Sequence, residues 1–236
     1  MDALPILSVR DLRVAFKSAS GLNEVLHGIS YQLYANEILG IVGESGSGKS
    51  VASLAVMGLL PLKSGVTISG EIIFNSDNVI DYSQKQLETI RGRKIAMIFQ
   101  EPMSALNPSI CCGKQVEEIL LQHRCITTKE AKEEVIRLFS AVKIPEAKTT
   151  YKKYPHEISG GQQQRVMIAM AIACKPEILI ADEPTTALDV TVQKEIIALL
   201  KTLQKEFKMS VIFISHDLAL VSEIANRIVV MYKGDI

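Results

Sequence analysis

The chain has 236 residues, of which 47% are hydrophobic and 22% charged, and this is enough apolar material for one sizeable core. Its 26 basic and 26 acidic residues give a formal net charge of zero, and only 5% of the residues are aromatic. This composition argues against a nucleic-acid-binding protein, which normally carries a basic excess and stacks bases on aromatic rings.

No apolar stretch approaches the roughly 18 residues needed to cross a bilayer, and the N-terminus lacks the pattern of a signal peptide. We therefore expect a cytosolic chain, and docking onto a membrane protein stays open. The cysteine spacing matches no zinc or redox motif, so we expect reduced and structurally passive thiols. These cysteines are Cys111, Cys112, Cys125 and Cys174.

The N-terminal part of the chain is predicted to be rich in strands. Residues 7–16 and 25–34 alternate polar and apolar side chains, which is typical of strands with one buried face. The continuous apolar run at 38–42 indicates a buried parallel strand. Residues 50–60 then predict a helix that Pro61 closes. Further strands are predicted at 68–74 and 94–99.

The middle of the chain is predicted to be helical. Residues 113–124 and 128–142 have helical periodicity, and Thr127 or Thr128 can cap the second helix. Helices and strands then alternate, with helices at 161–174, 190–207 and 218–225 and strands at 178–181, 210–214 and 227–232. This alternation predicts an α/β core with a mostly parallel sheet covered on both faces, and the helical middle predicts an inserted subdomain.

A glycine-rich loop follows the buried strand at 38–42 and precedes a helix. It fits the pattern G-x-x-x-x-G-K-[ST], which favours a nucleotide triphosphatase because glycines let backbone N–H groups surround a phosphate chain. Lys49 is predicted to reach the β- and γ-phosphates, and the Ser50 hydroxyl to ligate Mg²⁺. The candidate nucleotide-binding residues here are Gly43, Glu44, Ser45, Gly46, Ser47, Gly48, Lys49, Ser50 and Val51.

Two neighbouring acids follow a second apolar run, at 178–181. The run predicts a buried strand, and its carboxyl end is where open α/β sheets bind their ligands. Asp182 is expected to hold Mg²⁺, directly or through a water. Glu183 is expected to polarise the attacking water. An ordinary acidic turn is the alternative interpretation, which the phosphate loop upstream makes less favoured.

Residues 158–165 read Ile-Ser-Gly-Gly-Gln-Gln-Gln-Arg and resemble the signature sequence of ABC ATPases, usually written LSGGQ. The resemblance implies that this loop faces the γ-phosphate of ATP held by the opposite subunit, so that two ATP molecules lie between two head-to-tail domains. Ile158 replaces the usual Leu and removes no functional group. The implied contacts to the partner's ATP are Ser159, Gly160, Gly161, Gln162 and Asp189.

Further motifs of this family occur in the expected order. Gln100 resembles the Q-loop glutamine, which senses Mg²⁺ or the lytic water and couples to the membrane subunits. Residues 186–189 resemble the D-loop, with Thr186 in place of the usual Ser, and His216 resembles the switch histidine that contacts the γ-phosphate. Phe16 looks like the aromatic residue that stacks on adenine, although a core residue on a strand face is an equally good interpretation.

Residues 99–108 and 154–171 look like the dipeptide, oligopeptide and nickel importer family of bacteria. The resemblance implies a P-loop NTPase core at 1–100 and 158–236, with an N-terminal antiparallel β-subdomain. It also implies a helical subdomain at about 101–157 that receives a coupling helix from a permease. Members normally continue into a C-terminal extension, and both a truncated chain and a protein without the extension stay open.

The resemblance implies several partners, but no nucleic acid. They are a second ATP-binding subunit, identical or paralogous, two membrane permeases and, indirectly, a solute-binding protein, at the cytoplasmic face of the bacterial inner membrane. Peptides are the favoured solute, with nickel or another small solute as the alternative. A soluble ABC ATPase of DNA repair or translation is a rival, but the sequence has neither sustained heptads nor a second such domain.

Overall fold

The computed structural model describes residues 4–18, 21–61, 65–100, 105–186 and 188–236. The chain folds into two units, one formed by Met1–Arg91 with Ser210–Ile236 and the other by Gly92–Met209. Each unit has its own strands and helices. The predicted functional residues are divided between the two units.

The strands of the described residues are β1 Leu7–Ser18, β2 Gly21–Leu33, β3 Ile38–Val42, β4 Val66–Phe74, β5 Asp77–Asn78, β6 Ile95–Ile98, β7 Ile178–Asp182, β8 Ser210–Ser215 and β9 Arg227–Val230. The helices are α1 Lys49–Val56, α2 Gln84–Ile90, α3 Cys112–His123, α4 Thr128–Ala141, α5 Ala147–Thr150, α6 Gly160–Ile172, α7 Val190–Phe207 and α8 Leu218–Ile224. The predicted strand at 38–42 and the predicted helix at 190–207 are confirmed with the same bounds.

An antiparallel sheet in the first unit has the strand order β2-β1-β4-β5. Alternate residues of β1 point into the core, and Leu7, Val9, Leu12 and Val14 are at most 1% exposed. A register shift between Val9 and Leu12 interrupts the pairing, and there Asp11 adopts a φ of 43°. The predicted N-terminal antiparallel sheet is confirmed.

A group of parallel strands in the same unit has β3 in the centre, paired with β8 on one side and with β9 on the other. Every residue of β3 and of β8 is buried, which explains their continuous apolar sequences. Helix α8 packs on this group so closely that a Cβ at Gly40 would collide with the side chain of Val221. The carboxyl end of β3 leads directly into the glycine-rich loop.

Helix α1 is shorter than the sequence predicts. It ends at Val56 rather than at Leu60, because Gly58 adopts a left-handed φ of 61° just beyond the last turn. The Leu59 N–H then donates to the carbonyl of Leu54 at 2.8 Å and closes the helix end. The prediction that Pro61 ends the helix is therefore wrong.

In the second unit, β6 and β7 are parallel neighbours, with Ile98 opposite Ala181. Residues that follow these two strands consequently emerge at the same edge of the pair. Helices α3 to α7 belong to this unit, and the described residues contain no helix that is both long enough and apolar enough to cross a membrane.

Helix α4 begins at a capping box. The Thr127 hydroxyl accepts from the Glu130 N–H at 3.3 Å, and the Glu130 carboxylate accepts from the Thr127 N–H at 2.7 Å. We expect Thr127→Ala to lower the free energy of unfolding by about 1 kcal/mol, measured by urea denaturation. Thr128→Ala is the control, because its hydroxyl makes no hydrogen bond within the described residues, and an equal loss in both variants would contradict the capping role.

Candidate functional site

The glycine-rich loop is shaped by its contacts within the first unit. Gly48 precedes α1 with a φ of 101°, and a Cβ there would lie 2.6 Å from Cδ2 of Leu26. At Gly43 a Cβ would collide with the carbonyl oxygen of Met231 and would lie 2.7 Å from Oγ of Ser47. Gly43 is therefore required by the close approach of the Met231 backbone, and Gly48 by its positive φ and by the packing of Leu26.

Lys49 is only 5% exposed, and its ammonium group is held by the loop itself. The Nζ atom donates to the carbonyl of Gly43 at 2.7 Å and to that of Glu44 at 2.8 Å. No carboxylate pairs with it among the residues that the structure describes. A buried cation that has only neutral acceptors is well suited to an anionic ligand at this loop.

A tight turn after β9 is hydrogen-bonded to the glycine-rich loop. The Gly234 N–H donates to the carbonyl of Ser47 at 3.1 Å, and the Gly234 carbonyl accepts from the His27 N–H at 3.0 Å. The His27 ring lies 3.2 Å from the Asp235 carboxylate, and its hydrogen bond to Asp235 raises the pKa of His27. Sequence analysis gave His27 no role, because its link to this turn depends on strand pairing.

The other predicted residues of the first unit lie at strand ends and at the start of α1. Phe16 is half-buried in β1, opposite Asn23 and Val66. His216 is exposed directly after β8. The remaining positions on α1 are Ser50, which is exposed, and Val51, which is half-buried.

The second unit brings three of its polar residues together beyond the ends of β6 and β7. The Glu183 carboxylate accepts from Nε2 of Gln100 at 3.2 Å and from the Thr186 hydroxyl at 2.8 Å. Asp182, the last residue of β7, is 4% exposed. Residues 101–104 and Ala187, which belong to the Q-loop and D-loop segments, lie outside the described residues.

Glu183 has an unusual backbone conformation, with a φ of 46°. A left-handed conformation costs a non-glycine residue on the order of 1–3 kcal/mol and persists only where the surroundings enforce it. Here the following turn is fixed by the Thr186 N–H bond to the Glu183 carbonyl at 3.3 Å and by Nε2 of Gln193 donating to the Thr185 carbonyl at 3.0 Å. The positive φ and these turn contacts together fix the direction in which the chain leaves β7 at Glu183.

The Ser-Gly-Gly segment begins helix α6 with a capping box. The Ser159 hydroxyl accepts from the Gln162 N–H at 3.3 Å, and the Gln162 side-chain oxygen accepts from the Ser159 N–H at 3.1 Å. Gly160 and Gly161 supply further N–H groups at this helix start, where partial positive charge accumulates. The segment therefore offers a second place where backbone donors can meet an anion.

Asp189 caps the neighbouring helix α7. Its carboxylate accepts from the N–H groups of Thr191 and Val192 at 3.1 and 3.0 Å. A Cβ at Gly161 would lie 3.0 Å from a methyl group of Val192, so the starts of α6 and α7 are packed against each other. The structure thus brings Asp189 and the Ser-Gly-Gly segment to one end of the second unit.

The chain is similar to known proteins in both sequence and structure. The ABC transporter family matches residues 26–186. The chain is 47% identical over 231 residues to the oligopeptide transport ATP-binding protein OppD of Bacillus subtilis, covering 98% of this chain and 64% of that protein. It is 48% identical over 229 residues to the dipeptide transport ATP-binding protein DppD of the same organism, covering 97% of this chain and 68% of that protein.

The first of these relatives is therefore considerably longer than the chain described here. A dimeric structure of the ATP-binding cassette MJ0796, in a post-hydrolysis state bound to ADP and Pi, is also similar. It has a TM-score of 0.86 and 27% sequence identity, covering 98% of this chain and 96% of that chain. These likenesses confirm the predicted fold class, and since the family match spans more than half of the sequence, the chain belongs to the ABC transporter family.

Proposed function

We propose that the chain is the ATP-binding and ATP-hydrolysing subunit of a bacterial importer that takes up dipeptides or oligopeptides. The observation that carries this proposal is the identity of 47–48% to OppD and DppD over 97–98% of the chain. Both relatives are named as ATP-binding proteins of peptide transport. Nickel or another small solute is the alternative within the same kind of importer.

ATP binding is assigned to the loop at residues 43–50, with Val51 at the start of the following helix. Two glycines whose neighbours leave no room for a side chain let the loop backbone approach a phosphate chain. Lys49 would exchange its two carbonyl acceptors for phosphate oxygens, which are stronger partners because they carry charge. Phe16 is proposed to stack on the adenine ring.

The contact between Gly234 and the glycine-rich loop can be tested by substitution. Gly234→Ala would bring a Cβ to 2.5 Å from the Val25 carbonyl at a φ of 85°, and should lower the free energy of unfolding by about 1–2 kcal/mol. The same change should weaken ATP binding, measured by calorimetry, because the Gly234 N–H bond to Ser47 is displaced. Gly21→Ala is the control: Gly21 has a φ of 123°, but its Cβ would meet nothing within 4 Å. Equal affinity in both variants would refute the supporting role.

Hydrolysis is assigned to Glu183 as the group that orients and deprotonates the attacking water. Its hydrogen bonds from Gln100 and Thr186 and its strained backbone hold the carboxylate in one direction. His216 is proposed to contact the γ-phosphate. Gln100 is proposed to report the presence of nucleotide to the membrane subunits.

The residues proposed for Mg²⁺ are Ser50, Gln100 and Asp182, which offer a hydroxyl, an amide oxygen and a carboxylate. This all-oxygen donor set suits Mg²⁺, and the near-complete burial of the Asp182 side chain favours a cation beside it. The ion, when bound, would neutralise charge on the phosphates. Gln100 can offer its amide oxygen to the ion while its Nε2 still donates to the carboxylate of Glu183.

The proposed partner is a second ATP-binding subunit, either identical or paralogous. The N–H groups of the Ser-Gly-Gly segment are proposed to contact the γ-phosphate bound by the partner subunit, with Gln162 and Asp189 beside them. Two permeases would then dock on the helical part at about 101–157, which places the subunit at the cytoplasmic face of the inner membrane. A solute-binding protein would deliver the peptide from the other side.

Purification of the chain from membranes of its host, in mild detergent with Mg-ATP, tests the proposal. We expect two permeases and a second ATP-binding subunit to co-purify with it. Proteoliposomes containing this assembly should take up a labelled dipeptide or oligopeptide. Uptake of Ni²⁺ but of no peptide would identify nickel as the transported solute. Co-purification with ribosomes or DNA instead of permeases would support a soluble ABC ATPase.

A further inference from the structure

A cationic cleft lies within the second unit, apart from the residues assigned to nucleotide. Its volume is about 440 Å³, and its walls come from the segments that precede β6, follow α3 and precede β7. Since β6 and β7 are parallel, these walls include the amino ends of both strands, whereas Gln100 and Glu183 follow the carboxyl ends. The lining residues are Arg93, His123, Arg124, Cys125, Ile126, Cys174 and Lys175.

The cleft collects positive charge and no carboxylate lines it. Within the described residues, neither Arg93 nor Lys175 forms an ion pair. Arg124 has a weak partner at its edge, Glu134 at 3.5 Å, but that carboxylate lies closer to Arg137 at 2.6 Å. In a chain with zero net charge, the cleft therefore carries a local excess of positive charge, since Arg124 alone of its three cations has a carboxylate partner among the described residues.

Two further observations place Arg93 and Arg124 near one sulfur and His123 against the backbone of Gly92. Burial raises the pKa of the Cys174 thiol, while the charges of Arg124 and Arg93 oppose that increase, so both guanidinium groups lie near this sulfur. The His123 ring packs on the backbone of Gly92, where a Cβ would lie 3.2 Å from Nε2. The imidazole is thereby held at the edge of the cleft.

We propose that this cleft binds a phosphorylated small molecule. Guanidinium groups bind phosphate through paired N–H donors, and an ammonium group adds charge without fixed geometry, so Arg93, Arg124 and Lys175 form a suitable set. The volume falls in the range of roughly 300–1,000 Å³ that is usual for small-molecule sites. The neutral overall charge and low aromatic content do not favour an extended nucleic acid here.

The test uses pyrophosphate as the probe and the alkylation rate of Cys125 by N-ethylmaleimide as a local signal. Cys125 is exposed on the cleft, and half-buried Cys111, which does not line it, serves as the internal reference. We expect pyrophosphate to slow labelling of Cys125 but not of Cys111. This protection should persist in Lys49→Ala, so failure of the glycine-rich loop as a phosphate site would not affect the result.

Arg93→Gln and Lys175→Gln are each expected to weaken the protecting affinity by about tenfold, the usual effect of losing one charge-assisted contact. In the part of the chain that the structure describes, neither residue has an ion-pair partner to leave unpaired. Lys148→Gln, at an exposed position outside the cleft, is the matched control and should leave the affinity unchanged. The proposal is overturned if protection disappears in Lys49→Ala, is insensitive to Arg93→Gln and Lys175→Gln, or is reproduced by sodium chloride at equal ionic strength.

Discussion

The substitution Glu183→Gln is expected to lower the turnover number for ATP by roughly 10²–10⁴-fold, the usual contribution of a general base. Glutamine keeps the size of the side chain and can still accept from Gln100 and Thr186, but it cannot take a proton from water. ATP affinity should stay close to that of the wild type, because the glycine-rich loop is unchanged. Steady-state phosphate release and nucleotide-binding calorimetry measure the two quantities separately.

Glu133→Gln provides the matched control, because Glu133 is exposed on α4 and has the same side chain. Its turnover should equal that of the wild type. If Glu183→Gln hydrolyses ATP at a near-normal rate, Glu183 is not the base. If it loses ATP affinity instead, the carboxylate acts in binding rather than in the chemical step.

The second large effect is expected from Ser159→Arg. An arginine at the start of α6 would fill the space proposed for the partner's γ-phosphate, so ATP-driven dimers should disappear and turnover should fall to background. ATP binding to each separate subunit should survive. Size-exclusion chromatography with Mg-ATP, carried out in the Glu183→Gln background to slow hydrolysis, detects the dimer directly.

Ser159→Ala distinguishes blocking of the partner's γ-phosphate site from simple loss of the helix cap. Alanine removes the hydroxyl that accepts from the Gln162 N–H, which should cost about 1 kcal/mol of folding stability, and it leaves the space open. We expect this variant to dimerise. Unchanged turnover of Ser159→Arg in a purely homodimeric assembly would rule out the contact between subunits.

Much of the fold follows from local sequence patterns. The apolar run of β3 and the periodicity of α7 gave their bounds directly, because a fully buried strand and a long amphipathic helix leave strong signals. Helix α2 was missed, since it has one buried residue, Leu87, and hence almost no hydrophobic period. Its capping box of Ser83 and Gln86 was the available signal.

The candidate site was predictable in its residue types but not in its contacts. The glycine pattern and the acid pair identified Lys49 and Glu183 from short segments. The hydrogen bond between Gln100 and Glu183 joins residues 83 positions apart, and no local pattern encodes it. The same is true of the cationic cleft, which Arg93 and Lys175 line together because the strands that follow them, β6 and β7, pair with each other.

The backbone at Glu183 has a consequence for attempts to make this protein more robust. Glycine adopts a φ of 46° without the steric penalty that glutamate incurs, so Glu183→Gly should relax the turn while it removes the carboxylate proposed as the general base. A laboratory selection that rewards thermal survival alone would therefore place no constraint on keeping this carboxylate. Variant libraries for this protein should be screened for phosphate release and for melting temperature together.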